Sequence, residues 1–211
     1  TGQPSPGDEQ FKQWRRDQVT NLVRKVYAKI QASKPWVLQS GAFVTWNPSP
    51  GSSTRSAFQG TRPYYDVYSD WDSWMSEGIM DFAVPMTYYD DSLLPTDYIR
   101  WMNFEKDRKF NRHMVVGPGL YKNTIDNAIS QILATRGASP AGNFANGFCG
   151  YSYRAPCTDG TWADFSQRLV AQVAQTPVPI PTRPWKANPT RGHISGTVTL
   201  AGTGAWADGA T

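Results

Sequence analysis

The sequence predicts an α/β fold: four consecutive βα units, half of a (β/α)8 barrel, followed by a Pro-rich linker and the start of a β-sandwich. Three observations carry this reading. Short apolar runs alternate with helical patterns, and such alternation implies parallel strands. The strands start near residues 37, 80, 114 and 147, at steps of about 43, 34 and 33 residues, against about 31 per unit in a barrel of about 250. After Gln175 the texture changes: Pro177, Pro179, Pro181, Pro184 and Pro189 mark a stiff extended segment. The expected division is a half barrel over 1–175, a linker over 176–190, and the first strand of an incomplete β domain over 191–211.

From Asp8 to Lys34 the pattern is helical. Val19, Leu22, Val23, Val26, Tyr27 and Ile30 form one apolar stripe, and Pro35 stops the helix. Trp36 to Trp46 reads as a strand that opens into a Pro/Gly/Ser loop, Asn47 to Gly60. Asp70 has the character of an N-cap for a short helix carrying Trp71, Trp74 and Met75, closed by Gly78. Ile79 to Tyr89 is a near-continuous apolar run, as expected of a strand covered on both faces. Pro95 to Arg108 is helical with Ile99, Trp101 and Met102 inward. Met114 to Tyr121 is the third strand, and Asn123 or Thr124 caps a helix bearing Ile125, Ile129, Ile132 and Leu133. Gly147 to Arg154 is the fourth strand. Thr161 with Asp164 makes a capping-box-like start to the helix bearing Phe165, Leu169 and Val173. Gly192 to Leu200 alternates with period two, like the first strand of a sandwich.

A chain of 211 residues accommodates one good-sized domain, or a domain plus the start of another. No run approaches the roughly 18 apolar residues of a membrane span, so none is expected. The charge of +4 is mild, and acids interrupt the basic clusters at Arg15-Arg16 and Lys106 to Arg112; this fits solvated helix faces and not a nucleic-acid partner. Nine Trp and ten Tyr imply a large aromatic core, and any surplus at loop positions suits stacking on sugar rings. Cys149 and Cys157 read equally as a local disulfide in an exported protein or as a pair of reduced thiols. His113 and His193 lack metal-ligand spacing, and no metal or cofactor is expected. The Pro/Gly-rich opening, Thr1 to Gly7, is expected to follow from processing or excision.

The most informative stretch is Tyr64 to Trp71 with Trp74, followed by Asp81 to Asp91. An acidic, aromatic loop leads through a short helix to a strand that exits into Tyr88-Tyr89-Asp90-Asp91. In parallel βα sheets the C-terminal ends of strands are where ligands bind, and flat apolar faces beside carboxylates suit a sugar ring and its acetal bond. Trp46, Tyr88, Tyr121 and Tyr153 are the terminal aromatics of four successive strands, a candidate stacking platform or an aromatic rim of the core. Asp90, and less so Asp91, are candidates for proton transfer or for accepting a sugar hydroxyl; as Asp residues they serve equally as loop turns or helix caps. Asp66 reaches the barrel mouth or bonds backbone amides in its own loop. Arg154 anchors a carboxylate-bearing sugar or pairs with a surface acid. Asp81 opens its strand and belongs to the barrel bottom.

With these units laid out, the chain resembles the bacterial glycosyl-hydrolase-like family 10, TIM-barrel glycosidases of the cell envelope. Trp14-Arg15-Arg16-Asp17-Gln18-Val19, Lys34-Pro35 and Phe43-Val44-Thr45-Trp46 carry the first part of the likeness. Tyr64 to Trp74, Glu77-Gly78, Asp81-Phe82, Pro85 and Tyr88 carry the second. Val116 to Tyr121, Gln131-Ile132, Arg136 and Gly147-Phe148 carry the third. The ordered set, and no single piece, bears the weight. The resemblance implies that residues from about Trp14 to Arg154 form strands five to eight, the C-terminal half of the barrel. It implies an exported or periplasmic glycoside hydrolase of the cell envelope with a polysaccharide substrate, and a β domain after the barrel. Two departures stand out. Met86 occupies a position where the family places Gln. The family's strand-four carboxylates would precede Thr1, so the other barrel half is expected from the same precursor or from another chain.

The sequence has no nucleophile elbow, phosphate-binding loop, dinucleotide fingerprint or zinc motif. Hydrolysis through paired carboxylates is the chemistry that remains for an enzyme. A non-catalytic glycan-binding or surface-associated protein is the alternative from another class.

Overall fold

The structure is a computed structural model that describes residues 2–194 and 196–205. Helix α1 (Glu9–Ser33) begins at Asp8, whose side chain accepts the Phe11 amide. Strand β1 (Ser40–Val44) follows, then the short helices α2 (Arg55–Gln59) and α3 (Arg62–Tyr65). Thr54 caps α2, which gives helical structure to a stretch expected to be loop, because Phe58 is apolar enough to be drawn into the core. Helix α4 (Trp71–Glu77) starts at Asp70 and ends at Gly78, whose left-handed φ of 83° lets the chain turn directly into β2 (Phe82–Thr87). Helix α5 (Pro95–Asp107), β3 (His113–Pro118), α6 (Ile125–Arg136), β4 (Gly147–Phe148), α7 (Trp162–Gln172) and α8 (Pro184–Ala187) complete the order.

The four strands form one parallel sheet in the order β1-β2-β3-β4, consistent with half of a TIM-like barrel. Each strand is shorter than the sequence pattern suggests. The Trp36 end turns out into solvent, and past β4 the pairing continues only as a single bridge between Gly119 and Tyr151.

The two faces of the sheet differ. Along β2 burial alternates with period two. Ala83 with Phe43, Met114 and Val116 packs outward against Trp71, Trp74, Tyr98, Trp101 and Phe104. Leu120, Ile125, Ile129, Ile132, Phe165 and Val173 form a second cluster under α6 and α7. On the inner face Ala42, Val44, Val84, Met86 and Val115 are only partly covered or exposed. Trp71, Trp74 and Trp101 are core on the helix side, whereas Trp14, Trp36, Trp46 and Trp162 are exposed.

Helix α1 turns differently from its apolar pattern, and α5 and α6 each turn one patterned residue outward. In α1 the buried residues are Arg16, Thr20 and Tyr27, while Leu22 is 62% exposed. Polar anchors decide this: Thr20 accepts the Trp74 indole N–H at 2.9 Å, and Tyr27 donates to Asp81 at 3.0 Å. In α5 the inward set is Tyr98, Trp101, Met102 and Glu105, the spacing of one helix face, so Ile99 points out. In α6 Leu133 is exposed for the same reason, and Thr124 is the cap, accepting the Asn127 amide. Helix α7 opens with the capping box formed by Thr161 and Asp164.

The Pro-rich stretch does not stand away from the domain. Helix α8 lies across the N-terminal ends of the strands, where Trp185 is buried and donates its indole N–H to Asp81 at 2.7 Å. The His113 ring pairs with the Thr182 carbonyl at 2.9 Å, so this histidine is half-covered by the Pro-rich stretch. Among the described residues, no strand forms between Gly192 and Leu200. The remainder of the expected β domain, residues 206–211, lies outside the described residues. Cys149 and Cys157 carry free thiols.

Candidate functional site

A cleft of about 880 Å³ opens at the C-terminal ends of the strands. Its floor follows from the strand register. Val44 pairs with Met86 across β1 and β2, and two residues further on come Trp46 and Tyr88, pointing the same way. Trp46, Tyr88, Asp90 and Tyr121 line this cleft together. The Tyr88 and Tyr121 rings meet edge to face, with centroids 6.1 Å apart. Burial, with Tyr151, Cys149 and Tyr121 nearby, pushes the Tyr88 phenol up to about 12, so it remains a neutral hydroxyl donor.

Other candidates stand elsewhere. Asp66 closes α3 and pairs with Arg62 at 2.7 Å, outside the cleft lining. Asp91 is a structural tie: its amide donates to Asn123 Oδ1 at 2.8 Å, and its carboxylate accepts from Gln131 at 3.2 Å. Tyr153 is 84% exposed, and its ring leans on Trp162 with centroids 5.0 Å apart. Arg154 is exposed beside it. Tyr153 and Arg154 miss the cleft because β4 ends at Phe148 and the chain has turned away by residue 153.

The structure brings in three groups that strand-end reasoning missed. Arg62 lies over the Trp46 ring at 4.8 Å, held there by Asp66. Lys122 sits beside Tyr121 in a one-turn 3₁₀ segment and lines the cleft. Tyr151, bridged to Gly119, stacks on Tyr88. The i,i+4 spacing of Arg62 and Asp66 was a visible signal for the first. Nothing in the pattern marked the other two.

The loop carrying Asp90 is held from below. Asn123, fully buried, donates to the carbonyls of Tyr89 at 2.9 Å and Gly119 at 3.0 Å, and Gln131 donates to the Tyr89 carbonyl at 3.2 Å. Tyr89 itself donates to the Thr45 carbonyl, tying β1 to this loop. Asp90 accepts the Ser92 hydroxyl at 2.5 Å and the Ser92 amide at 2.9 Å. These bonds hold its carboxyl below the ordinary range, so it stays ionised. Among the described residues it is the one carboxylate in the cleft lining, which also carries two cations, Arg62 and Lys122.

Asp81 lies at the opposite end of the sheet, fully buried. It accepts from Tyr27, Trp185 and the Gln39 amide, and is structural. Among the described residues, no three His, Cys, Asp or Glu side chains gather to hold a metal, and no helix is long and apolar enough to cross a membrane.

The chain is 30% identical over 141 residues to the protein named glycosyl hydrolase YngK of Bacillus subtilis (strain 168). That match covers 57% of this chain and 27% of the relative, so the chain spans well under half of that protein. The family profile described as glycosyl hydrolase-like 10 matches residues 1–133, from α1 through the first two turns of α6. The chain belongs to the glycosyl hydrolase-like 10 family.

Proposed function

We propose that this chain forms the C-terminal half of the barrel of an exported glycoside hydrolase acting on a cell-envelope or extracellular polysaccharide, with a peptidoglycan-like glycan as the first candidate. The observation that carries it is the cleft at the strand ends, where Trp46, Tyr88 and Tyr121 stand beside an ionised carboxylate and two cations. Aromatic faces stack on the C–H faces of sugars. Arg62 and Lys122 suit a sugar that bears a carboxylate. Asp90, kept ionised, is fitted to act as a base or to orient a sugar hydroxyl, and less to donate a proton.

Glycoside hydrolysis ordinarily uses two carboxyl groups, about 5–5.5 Å apart for retention and about 6.5–9.5 Å for inversion. Asp90 supplies one at most, and the partner acid belongs to the other barrel half, from the same precursor or from another chain. The solitary carboxylate also favours a second reading, a glycan-binding or surface-associated protein that keeps the aromatics without the chemistry. Incubating the intact protein with purified peptidoglycan glycan strands and measuring new reducing ends distinguishes the two. New ends lost in Asp90→Asn support hydrolysis, whereas retention on the glycan with no new ends supports binding alone.

A further inference from the structure

On the half-barrel reading above, we propose that one flank of α1 is a docking face for the helix of the preceding barrel unit in the intact protein. The partner it fits is an amphipathic helix with acidic residues beside its apolar stripe.

The apolar stripe of α1 is wider than the surface this chain covers. Val19, Leu22, Val26 and Ile30 recur at the spacing of one helix face. Val19 and Ile30 are half-buried, whereas Leu22 is 62% and Val26 42% exposed. Polar contacts fix which way this flank points. Thr20 accepts the Trp74 indole N–H, and Arg24 holds Glu77 with two nitrogens, at 2.7 and 2.8 Å; both partners belong to α4. Residues 22 and 26 stand two positions on from 20 and 24, about 200° around a helix that turns about 100° per residue. Leu22 and Val26 therefore point away from α4.

The sheet topology identifies what belongs on that flank. Among the described residues β1 is paired with β2 and with no other strand, so its far edge is open. In a right-handed crossover, the helix that enters a parallel strand lies over the gap between that strand and the one before it. Helix α4 makes the crossover from β1 to β2 and occupies one side of α1, so the opposite side faces the unit before β1. In a closed barrel the helices form an outer ring, each beside its two neighbours. The matched relative has most of its length outside the match, so proteins of this family have room for such a unit. Lys29 lies on the same face as Leu22 and Val26 and has no carboxylate partner among the described residues. An acid on the docking helix would complement it.

The test is maleimide labelling of the single variants Leu22→Cys, Val26→Cys and Asp17→Cys, read by mass at each site, in the intact protein and in this chain produced alone. Asp17 is exposed and shares a face with Arg24, so it reports reactivity outside the docking face. In the intact protein Leu22→Cys and Val26→Cys should each react about tenfold or more slowly than Asp17→Cys, as expected of positions that open only by local unfolding. In the chain alone all three should react alike. Equal rates at the three sites in the intact protein overturn the proposal. Slow labelling of Leu22→Cys and Val26→Cys in the chain alone means that this chain or a second copy of it covers the face, and overturns it as well. The hydrolytic reading is separable. Protection of both cysteines with no new reducing ends keeps the docking face and removes the chemistry, whereas new reducing ends with equal labelling do the reverse.

Discussion

The rings of Tyr88 and Tyr151 lie stacked across Gly119, with centroids 5.0 Å apart and planes inclined by 14°. Tyr151 follows β4 and Tyr88 follows β2, with the β3 chain running between them. A side chain at position 119 would occupy the space over which the rings meet. A Cβ built there falls 2.9 Å from both Cα and Cβ of Tyr88, closer than real contacts allow. Glycine at 119 is thus a condition for the aromatic wall of the cleft, and Tyr121, edge-on to both rings, closes its far side.

Gly119→Ala should cost about 1–3 kcal/mol, the usual range for overpacking, because the crowded atoms are backbone and first-carbon atoms that cannot rotate away. Urea unfolding measures the loss. Glycan retention should fall as well, since Tyr88 is displaced. A variant with parental stability would show that the strands have room to part.

Asp90→Asn in the intact protein should lower turnover by about 10²-fold or more while leaving the fold intact, since Asp90 is only half-buried at the cleft and bonds only its own loop. Its pH behaviour follows from the direction of the shift. The folded pKa is depressed, so the Ser92 interaction is present above the unfolded value of 3.8 and is lost only as pH falls through the folded one. Asp90 accordingly contributes no acid limb to a pH–rate profile between about pH 5 and 8. Unchanged turnover in the Asn variant would remove it from the chemistry and leave sugar binding as its role.

Glu105 predicts a pH dependence of stability. It is fully buried in α5, accepts the Thr87 hydroxyl at 2.7 Å, and has a second oxygen without a partner among the described residues. Burial pushes its carboxyl from 4.5 up to about 8. The folded state therefore holds a proton that the unfolded state releases above pH 4.5. Stability is greatest below that value and falls as pH rises toward 8, by at most about 1.4 kcal/mol per pH unit. Glu105→Gln should flatten that slope. Parallel slopes for the parent and the Gln variant would locate the titration elsewhere.

The βα order, the helix caps at Asp70 and Thr161 and the parallel sheet were legible because each has a local signal: a capping side chain, a period, a proline or a glycine. The inward face of α1 was not. There a Thr20–Trp74 bond and a Tyr27–Asp81 bond, between residues more than 50 apart, outweigh the transfer energy of Leu22. In α5 Trp101 and Met102 were legible as inward and Ile99 was not. In the site, Trp46, Tyr88 and Tyr121 were legible from strand ends, since residues two apart share a face. Tyr151 was not, because β4 stops at Phe148 while the apolar pattern runs on to Tyr153. Arg62 acts over Trp46 through tertiary approach, which periodicity does not reveal.

The partly uncovered inner face predicts association. Val84 and Val115 stand side by side on it, flanked by Ala42, and β1 and β4 are both edge strands. Such apolar edges and faces recruit further chain. Produced alone, the chain should sediment as a dimer or larger species, and Val84→Lys with Val115→Lys should shift it toward monomer. A parent that sediments as a monomer with cooperative unfolding would show that this half barrel is self-sufficient.

Trp185 predicts how firmly the C-terminal strap is docked. Its indole N–H donates to buried Asp81, the Arg112 guanidinium lies 5.0 Å from its ring, and His113 meets it edge-on at 4.8 Å. Trp185→Phe keeps most of the ring and removes the N–H, so it should cost about 1.5–3 kcal/mol, the range for a hydrogen bond to a charged group. Trp185→Ala also opens a cavity against Tyr27 and Arg112 and should cost about 3–5 kcal/mol. Limited proteolysis gives a second readout: in the Ala variant, cleavage within residues 176–190 should precede loss of the barrel strands, whereas in the parent the strap and the sheet resist together. Equal protease sensitivity of the strap in the parent and the Ala variant would show that Trp185 does not hold it.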